Sequence, residues 1–345
     1  MRYKLLGRSG LRVSELCLGT MTFGEDWGWG ASKEESRAIF DGFANAGGNF
    51  VDSASNYTDG SAERFLGEFI ATDRDHFVVA TKYSLTTRKD DPNFGGNHRK
   101  NMVRSLELSL KRLKADYLDL YYLHMWDDMT PVEEVMRALD DLVRAGKVLY
   151  VGISDTPAWV VSQANTLADL RGWSRFVALQ VPYSLADRAV ERDLLPMARA
   201  LDMAVMTWGI LEGGELTGKY NRNEPGPKRS SQADERTMAL ADRVMAVAVA
   251  IGCKPAQVAI NWVRQQQARG LIIPIIGART AAQLHENLAC LDFELTPAQL
   301  QDLDEVSRLK LGFPHDFLAS DHVHNLIFGE TWARIDNHRA QSRSQ

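Results

Sequence analysis

Residues 77–124 read FVVATKYSLTTRKDDPNFGGNHRKNMVRSLELSLKRLKADYLDLYYLH. A short apolar run, Phe77–Thr81, ends in Lys82, and a second run, Leu118–Tyr122, leads to His124. Between them Arg99–Leu113 carries a helical pattern. Strand, helix, strand in this order is the repeating unit of a parallel sheet, because two parallel strands can be joined only by a crossover.

The same unit recurs in both directions. Further strands are expected at Glu15–Leu18, Asn49–Asp52, Tyr150–Ile153, Ala178–Gln180, Ala204–Thr207 and Ile272–Ile275, eight with the two above. Helices are expected between and after them. Ser32 with Glu35 forms a capping box before Ala38-Ile39-Phe40, and Thr130 with Pro131 and Glu133 repeats that start signal. Pro157–Leu170, Val190–Ala200, Ala239–Ile251, Pro255–Ala268, Ala281–Cys290 and Pro297–Val306 supply the others. Eight such units predict a (β/α)8 TIM barrel, with a doubly wound open sheet as the competitor. Tyr3–Leu5 and Leu11–Val13, either side of Ser9-Gly10, predict an N-terminal hairpin. Two long βα loops, Tyr83–His98 and Leu211–Gln232, follow the third and seventh strands. Leu309–Gln345 forms a tail that is too apolar to be freely solvated, and it is expected to pack near the mouth. Without repeats or a low-complexity linker, residues 1–345 are expected to be one domain.

Composition narrows the function. A net charge of −5 offers no basic field for a polyanion, so nucleic-acid binding is not expected. No stretch is long and apolar enough for a membrane span, and the first residues lack the apolar core of a signal peptide. The three cysteines, Cys17, Cys253 and Cys290, are far apart in sequence, which fits reduced thiols and a cytoplasmic location. No metal is expected, and His315, His322 and His324 read as surface residues.

The chemistry gathers at the carboxyl ends of the strands. Asp52 ends the second and is followed closely by Tyr57; Lys82 ends the third and His124 the fourth. In a closed barrel these ends share one rim, where barrel active sites are assembled. A phenol is a weak acid at neutral pH, an ammonium beside it favours phenolate, and a carboxylate can hold that ammonium. An imidazole can orient a carbonyl oxygen. The set suits proton donation to a carbonyl better than acyl transfer, since it contains no base-activated nucleophile. Carbonyl reduction also needs a hydride, which no side chain supplies, so a nicotinamide cofactor is implied.

Further motifs extend the pattern: Leu18-Gly19-Thr20-Met21, Glu63 with Leu66-Gly67, Tyr117-Leu118-Asp119-Leu120, Gly146-Lys147 before Tyr150–Ser154, Gln180, Leu216–Tyr220 and Ile276–Arg279. Together with the four strand-end residues they cover nearly the whole chain, which resembles the aldo-keto reductases of bacterial type and, more broadly, the potassium-channel β subunits. The resemblance implies a (β/α)8 barrel that reduces aldehydes and ketones with NADPH, with Asp52, Tyr57, Lys82 and His124 as its tetrad and Tyr57 as proton donor. The channel-associated relatives carry Asn where this chain has His124, which favours an enzyme over a binding module. A metal-dependent hydrolase on the same barrel would need a His-x-His pair at the end of the first strand, and the sequence has none there.

The resemblance also implies where NADPH/NADP+ would lie. Contacts are expected from Gly19, Thr20 and Met21, from Asp52, and from Ser154, Asp155 and Gln180 around the carboxamide. Trp208 is expected against the nicotinamide, with Gly209, Ile210, Leu211, Gly213, Lys219 and Arg229 near the pyrophosphate. Two departures stand out: Gly209-Ile210-Leu211-Glu212 replaces a common Ser-Pro-Leu-Ala, and Asp155 replaces a common Asn. Ile276, Gly277, Ala278 and Arg279 run from the last strand into a helix start, an arrangement suited to an anion. Arg279 is expected at the 2′-phosphate, with Gln283, Glu286 and Asn287 around the adenosine. Trp27, Trp29, Tyr83 and Trp126 are expected to wall the pocket for a small carbonyl substrate. The oligomeric state stays open.

Overall fold

The structure, a computed structural model, describes residues 1–221 and 234–336. Eight parallel strands close into a barrel: β3 (Cys17–Gly19), β4 (Phe50–Asp52), β5 (Val78–Tyr83), β6 (Leu118–Leu123), β7 (Val148–Ser154), β8 (Phe176–Pro182), β9 (Ala204–Trp208) and β10 (Leu271–Ile276), with β10 pairing back onto β3. Closure settles the choice against an open doubly wound sheet. A two-stranded antiparallel hairpin precedes the barrel, β1 (Tyr3–Leu5) and β2 (Arg12–Ser14), with Lys4 opposite Val13.

The barrel helices are α1 (Lys33–Asn45), α2 (Ser61–Phe69), α3 (Arg99–Leu113), α4 (Val132–Arg144), α5 (Ala158–Arg171), α6 (Leu194–Ala200), α7 (Glu235–Ile251), α8 (Pro255–Arg264) and α9 (Ala281–Leu288). After them come α10 (Pro297–Val306) and the short α11 (His315–Leu318) and α12 (Asp321–Phe328). Several starts differ from expectation. Helix α2 was not anticipated: it is short, and it follows a turn with left-handed residues that breaks the sequence pattern. Helices α4 and α5 begin one residue later than their prolines suggested. Thr130 does not cap α4: Pro131 stands at the cap position, and the Thr130 hydroxyl donates to Asp127 at 2.9 Å. At α1 only half of the capping box forms: Ser32 Oγ accepts from the Glu35 N–H, while the Glu35 carboxylate reaches Ala281 N instead.

The core has two parts, and strand periodicity creates them. Successive strand side chains point to opposite faces. The outward set, including Leu18, Val51, Val79, Tyr121, Ile153, Leu179 and Val205, packs under the helices. The inward set includes Cys17, Phe50, Val78, Ala80, Leu120, Tyr122, Ala178, Ala204, Met206 and Ile273, joined by Leu6 and Val13 of the hairpin segment. The hairpin segment therefore plugs the barrel at the amino ends of the strands, since it packs with residues such as Phe50 and Val78 that open β4 and β5. Followed toward the carboxyl ends, the inward columns turn polar: Phe50 then Asp52; Val78, Ala80 then Lys82; Leu120, Tyr122 then His124; Ala178 then Gln180. Apolar below and charged above, the interior presents its functional groups at one rim. Among the described residues no single helix is long and apolar enough to cross a membrane.

Candidate active site

Lys82 is the centre of the rim cluster. Its Nζ lies 2.5 Å from Asp52 Oδ2, 2.7 Å from the Ser53 carbonyl and 3.3 Å from the Tyr57 hydroxyl, and the residue is fully buried. The other Asp52 oxygen, Oδ1, accepts from Gln180 Nε2 at 3.0 Å. A buried carboxylate with both oxygens engaged and an ammonium with three acceptors meet the conditions under which a desolvated ion pair is tolerated. Burial alone would lower the lysine pKa, but the Asp52 charge and the hydrogen bonds to Asp52 and Tyr57 outweigh it and the net direction is upward. Lys82 is thus a fixed cation.

Tyr57 shows the same competition with the opposite balance. Burial raises its pKa and exceeds the downward pull of Lys82. The expectation that the ammonium would lower the phenol's pKa holds for that one interaction and not for the sum. Tyr57 is therefore an undissociated acid at neutral pH, with a cation in place to stabilise the phenolate that forms when its proton leaves. The His124 ring lies 6.1 Å from the Tyr57 ring, nearly perpendicular to it. Burial, with Lys82 adding to it, pushes the imidazole down to about 3, so it is neutral and carries one N–H.

One buried polar atom at this rim, His124 Nδ1, has no hydrogen-bond partner among the described residues. An orphaned buried polar atom beside a charged cluster is what a polar ligand would satisfy. Asp155, next to Ser154, has positive φ (41°) and a carboxyl raised by burial, against hydrogen bonding to Trp208 and the attraction of Lys82. Trp208 ends β9 and is 41% exposed, unlike the buried Met206 and Ala204 of the same column. These features fit a nicotinamide ring and its carboxamide beside Tyr57.

The other expected cofactor residues that the structure describes fall on the same side of the barrel. Thr20 N and Oγ1 both donate to the Asp52 carbonyl, which ties the Gly19–Met21 segment to the catalytic strand. Gly209 and Gly213 have positive φ (74° and 61°), Ile210 is buried, Leu211 is half-buried, and Lys219 folds onto the Gly213 carbonyl at 3.2 Å. Gly277 is exposed after β10, while Ile276 and Ala278 are buried. Arg279 N donates to Gln283 Oε1, Thr280 caps α9, Asn287 Nδ2 donates to the Gly277 carbonyl, and Glu286 is exposed. Arg229 lies outside the described residues. One neighbour was missed: the Glu35 carboxylate accepts from Ala281 N at 2.5 Å, so part of the α9 amino terminus already faces an anion. No local signal announces a contact between residues so far apart in sequence.

The aromatic residues divide. Trp27 packs edge-on against Tyr57 at 6.4 Å, and Trp29 lies 5.8 Å from Trp27, so these two stand at the mouth. Trp126 is half-buried against the outer core. Tyr83 is not brought to the mouth: it is fully buried, stacks on Tyr121 at 5.2 Å and donates to the Asn97 carbonyl. The alternation that points Lys82 inward sends its neighbour outward beneath the helices.

Comparison with known proteins gives the family. The family model described as "Aldo/keto reductase family" matches residues 15–308. The chain is 38% identical to a norsolorinic acid reductase of Emericella nidulans, over 90% of this chain and 82% of that protein. It is 36% identical to an aryl-alcohol dehydrogenase [NADP(+)] of Phanerodontia chrysosporium, over 92% and 89%. An aldo-keto reductase of Aspergillus calidoustus is likewise 36% identical, over 93% and 85%. The chain is thus an oxidoreductase acting on carbonyl or alcohol groups, and it belongs to the aldo/keto reductase family.

Proposed function

We propose that this protein reduces an aldehyde or ketone to the alcohol with NADPH, and that Tyr57 delivers the proton. The observation that carries this reading is the buried chain Gln180–Asp52–Lys82–Tyr57, with neutral His124 facing the same phenol. NADPH, when bound, supplies the hydride to the carbonyl carbon. The carbonyl oxygen gains negative charge as it does so, and the Tyr57 hydroxyl gives that oxygen its proton. Lys82 stabilises the phenolate left behind, and Asp52 keeps the ammonium in place. The neutral His124 N–H is available to hydrogen-bond the carbonyl oxygen and orient it. Alcohol oxidation is the reverse, with tyrosinate as the base.

Ser154, Asp155 and Gln180 would hold the nicotinamide carboxamide and Trp208 would face the ring. Lys219 and the backbone of residues 209–213 would serve the pyrophosphate, and Arg279 the 2′-phosphate. Trp27 and Trp29 would wall the substrate side. Replacing Tyr57 by Phe removes the proton donor and leaves these contacts alone. Tyr57→Phe is expected to lower kcat by about two to four orders of magnitude, the range of positioned acid catalysis, with NADPH still quenching tryptophan fluorescence at the parent's Kd. Activity within a few-fold of the parent would remove Tyr57 from this role.

A further inference from the structure

Behind the tyrosine, on the helix side of the strands, a buried ion pair links the loop that carries Tyr57 to the strand that carries Lys82. Glu63, on α2, is fully buried and uses both carboxylate oxygens: Oε2 accepts from Arg112 Nη1 at 3.0 Å and Oε1 from Thr81 Oγ1 at 2.7 Å. Arg112 Nη1 also donates to the Ser55 carbonyl at 2.6 Å. Ser55 lies two residues before Tyr57, and Thr81 lies immediately before Lys82 on the opposite face of β5. The two ends of this chain of contacts are therefore the two segments that set the Tyr57–Lys82 separation.

The turn that bears Tyr57 does not hold its shape unaided. Thr58 and Asp59 have positive φ (44° and 52°), unfavourable for L side chains, and Gly60 follows at 90°. Such backbone persists only where its surroundings over-determine it. Here the Arg112 guanidinium lies directly against Gly60, where an added Cβ would come within 2.2 Å of Cζ. Contact between α2 and α3 has its own basis elsewhere: at Gly67 an added Cβ would meet the Leu113 carbonyl at 2.5 Å. The ion pair is thus placed to reach the loop and the strand, over and above joining the two helices.

We propose that Glu63 and Arg112 are positioning residues for catalysis, whose ion pair fixes the 3.3 Å separation between the Tyr57 hydroxyl and the Lys82 ammonium. This rests on the proposed role of Tyr57 as acid. Charge interaction in a buried site changes steeply with distance. Loosening the brace weakens the cation's hold on the phenolate, which slows proton delivery and moves the ionisation of Tyr57 to higher pH. Substrate and cofactor contacts lie on the other face of β5 and are untouched.

Two variants of the full chain test this. Arg112→Lys keeps the charge but, with a side chain one bond shorter and no planar guanidinium, loses the packing against Gly60 and the fixed Nη1 position that reaches Ser55 and Glu63 together. The double variant Glu63→Gln/Arg112→Met removes both charges, so no unpaired charge is left buried. Each is expected to lose about ten- to a hundred-fold in kcat for aldehyde reduction, the scale of an ångström-sized misplacement. Aldehyde KM and NADPH Kd, read by tryptophan quenching, should stay within about threefold, because binding and positioning are separable here. The ionisation of Tyr57 should move to higher pH in both kcat–pH profiles, as the falling basic limb in reduction and as the rising limb in alcohol oxidation, where tyrosinate is the base. A purely structural pair would reduce the amount of folded enzyme without moving either limb. Parent-like kcat with unmoved limbs overturns the proposal, and so does failure of both variants to fold. If Tyr57→Phe in the parent background keeps its activity, the role of Tyr57 fails, and that result is distinct from either outcome.

Discussion

At Tyr57 and His124 burial outweighs charge, and this sets the pH behaviour. The phenol's pKa is raised despite Lys82, so carbonyl reduction should stay near its plateau through neutral pH and decline only as Tyr57 loses its proton in strongly alkaline solution. His124 is held down to about 3, below its ordinary 6.5, so kcat should show no step near 6.5. The same shift is a statement about stability. Between pH 6.5 and about 3 the unfolded chain binds a proton at this histidine and the folded chain does not, so stability falls as pH falls across that window. Replacing His124 by Asn removes that term. Urea unfolding at pH 6.5 and pH 4 should show the parent losing more stability than His124→Asn, and equal losses would show that the imidazole already titrates in the folded state. Arg279 sits before the start of α9, whose Ala281 N–H already meets the Glu35 carboxylate. A charge-assisted contact is worth about 1.5–3 kcal/mol, so Arg279→Ala should weaken NADPH binding roughly ten- to a hundred-fold and leave NADH unchanged. Equal weakening of both cofactors would place the arginine away from the 2′-phosphate.

At the scale of elements, the hairpin segment and the strand ends divide the labour of the barrel interior. Leu6 and Val13 are fully buried beneath the inward columns, far along the strands from Lys82 and His124. Truncating such a side chain costs about 2–5 kcal/mol. Leu6→Ala should therefore lower the urea midpoint clearly while kcat per folded molecule stays at the parent's value; a matched loss of kcat would mean that the plug reaches the rim. The strands were legible because both faces are buried, so each reads as a compact apolar run ending where the polar rim begins. The gathering of Asp52, Lys82 and His124 at one rim was legible for the same reason: they interrupt those runs at their carboxyl ends. Tyr83 shows a limit in the reading and not in the sequence. Its parity relative to Lys82 already sends it outward, yet adjacency along the chain suggested the mouth. Helix α2, the Glu35 contact at Ala281 and the Glu63–Arg112 brace were not legible. Each depends on a turn geometry or a partner far away in sequence that no local pattern encodes.

For the whole molecule, the open question is what the chain beyond the barrel does at the mouth. Helix α10 ends at Val306, and the residues just past it are held by the connection between β8 and α6, one of the βα connections. Arg188 in that connection donates to Ser307 Oγ at 2.6 Å and pairs with Asp304, while Arg192 donates to the carbonyls of Lys310 and Leu311. The tail is thus anchored at its root, next to a segment that begins on the catalytic rim. Further out, Phe328 and His324 stack on Trp332, Val323 is buried, and Phe313, Leu326 and Ile327 are 84%, 69% and 60% exposed. Little apolar area is sealed into the barrel by these side chains, so their loss should cost the fold little. The sequence expectation that this segment packs near the mouth, and with it a part in substrate access, can then be tested without unfolding the enzyme. Ending the chain after Gly312 keeps the Arg188 and Arg192 contacts. The shortened protein should melt within a few degrees of the parent and bind NADPH equally well, since those residues lie elsewhere. If the tail walls the mouth, KM should rise for bulky ketones and stay constant for small aldehydes, because only a large substrate reaches past Trp27 and Trp29. Unchanged relative KM values across substrate sizes would assign the tail to the barrel's flank and leave the choice of substrate to the two tryptophans.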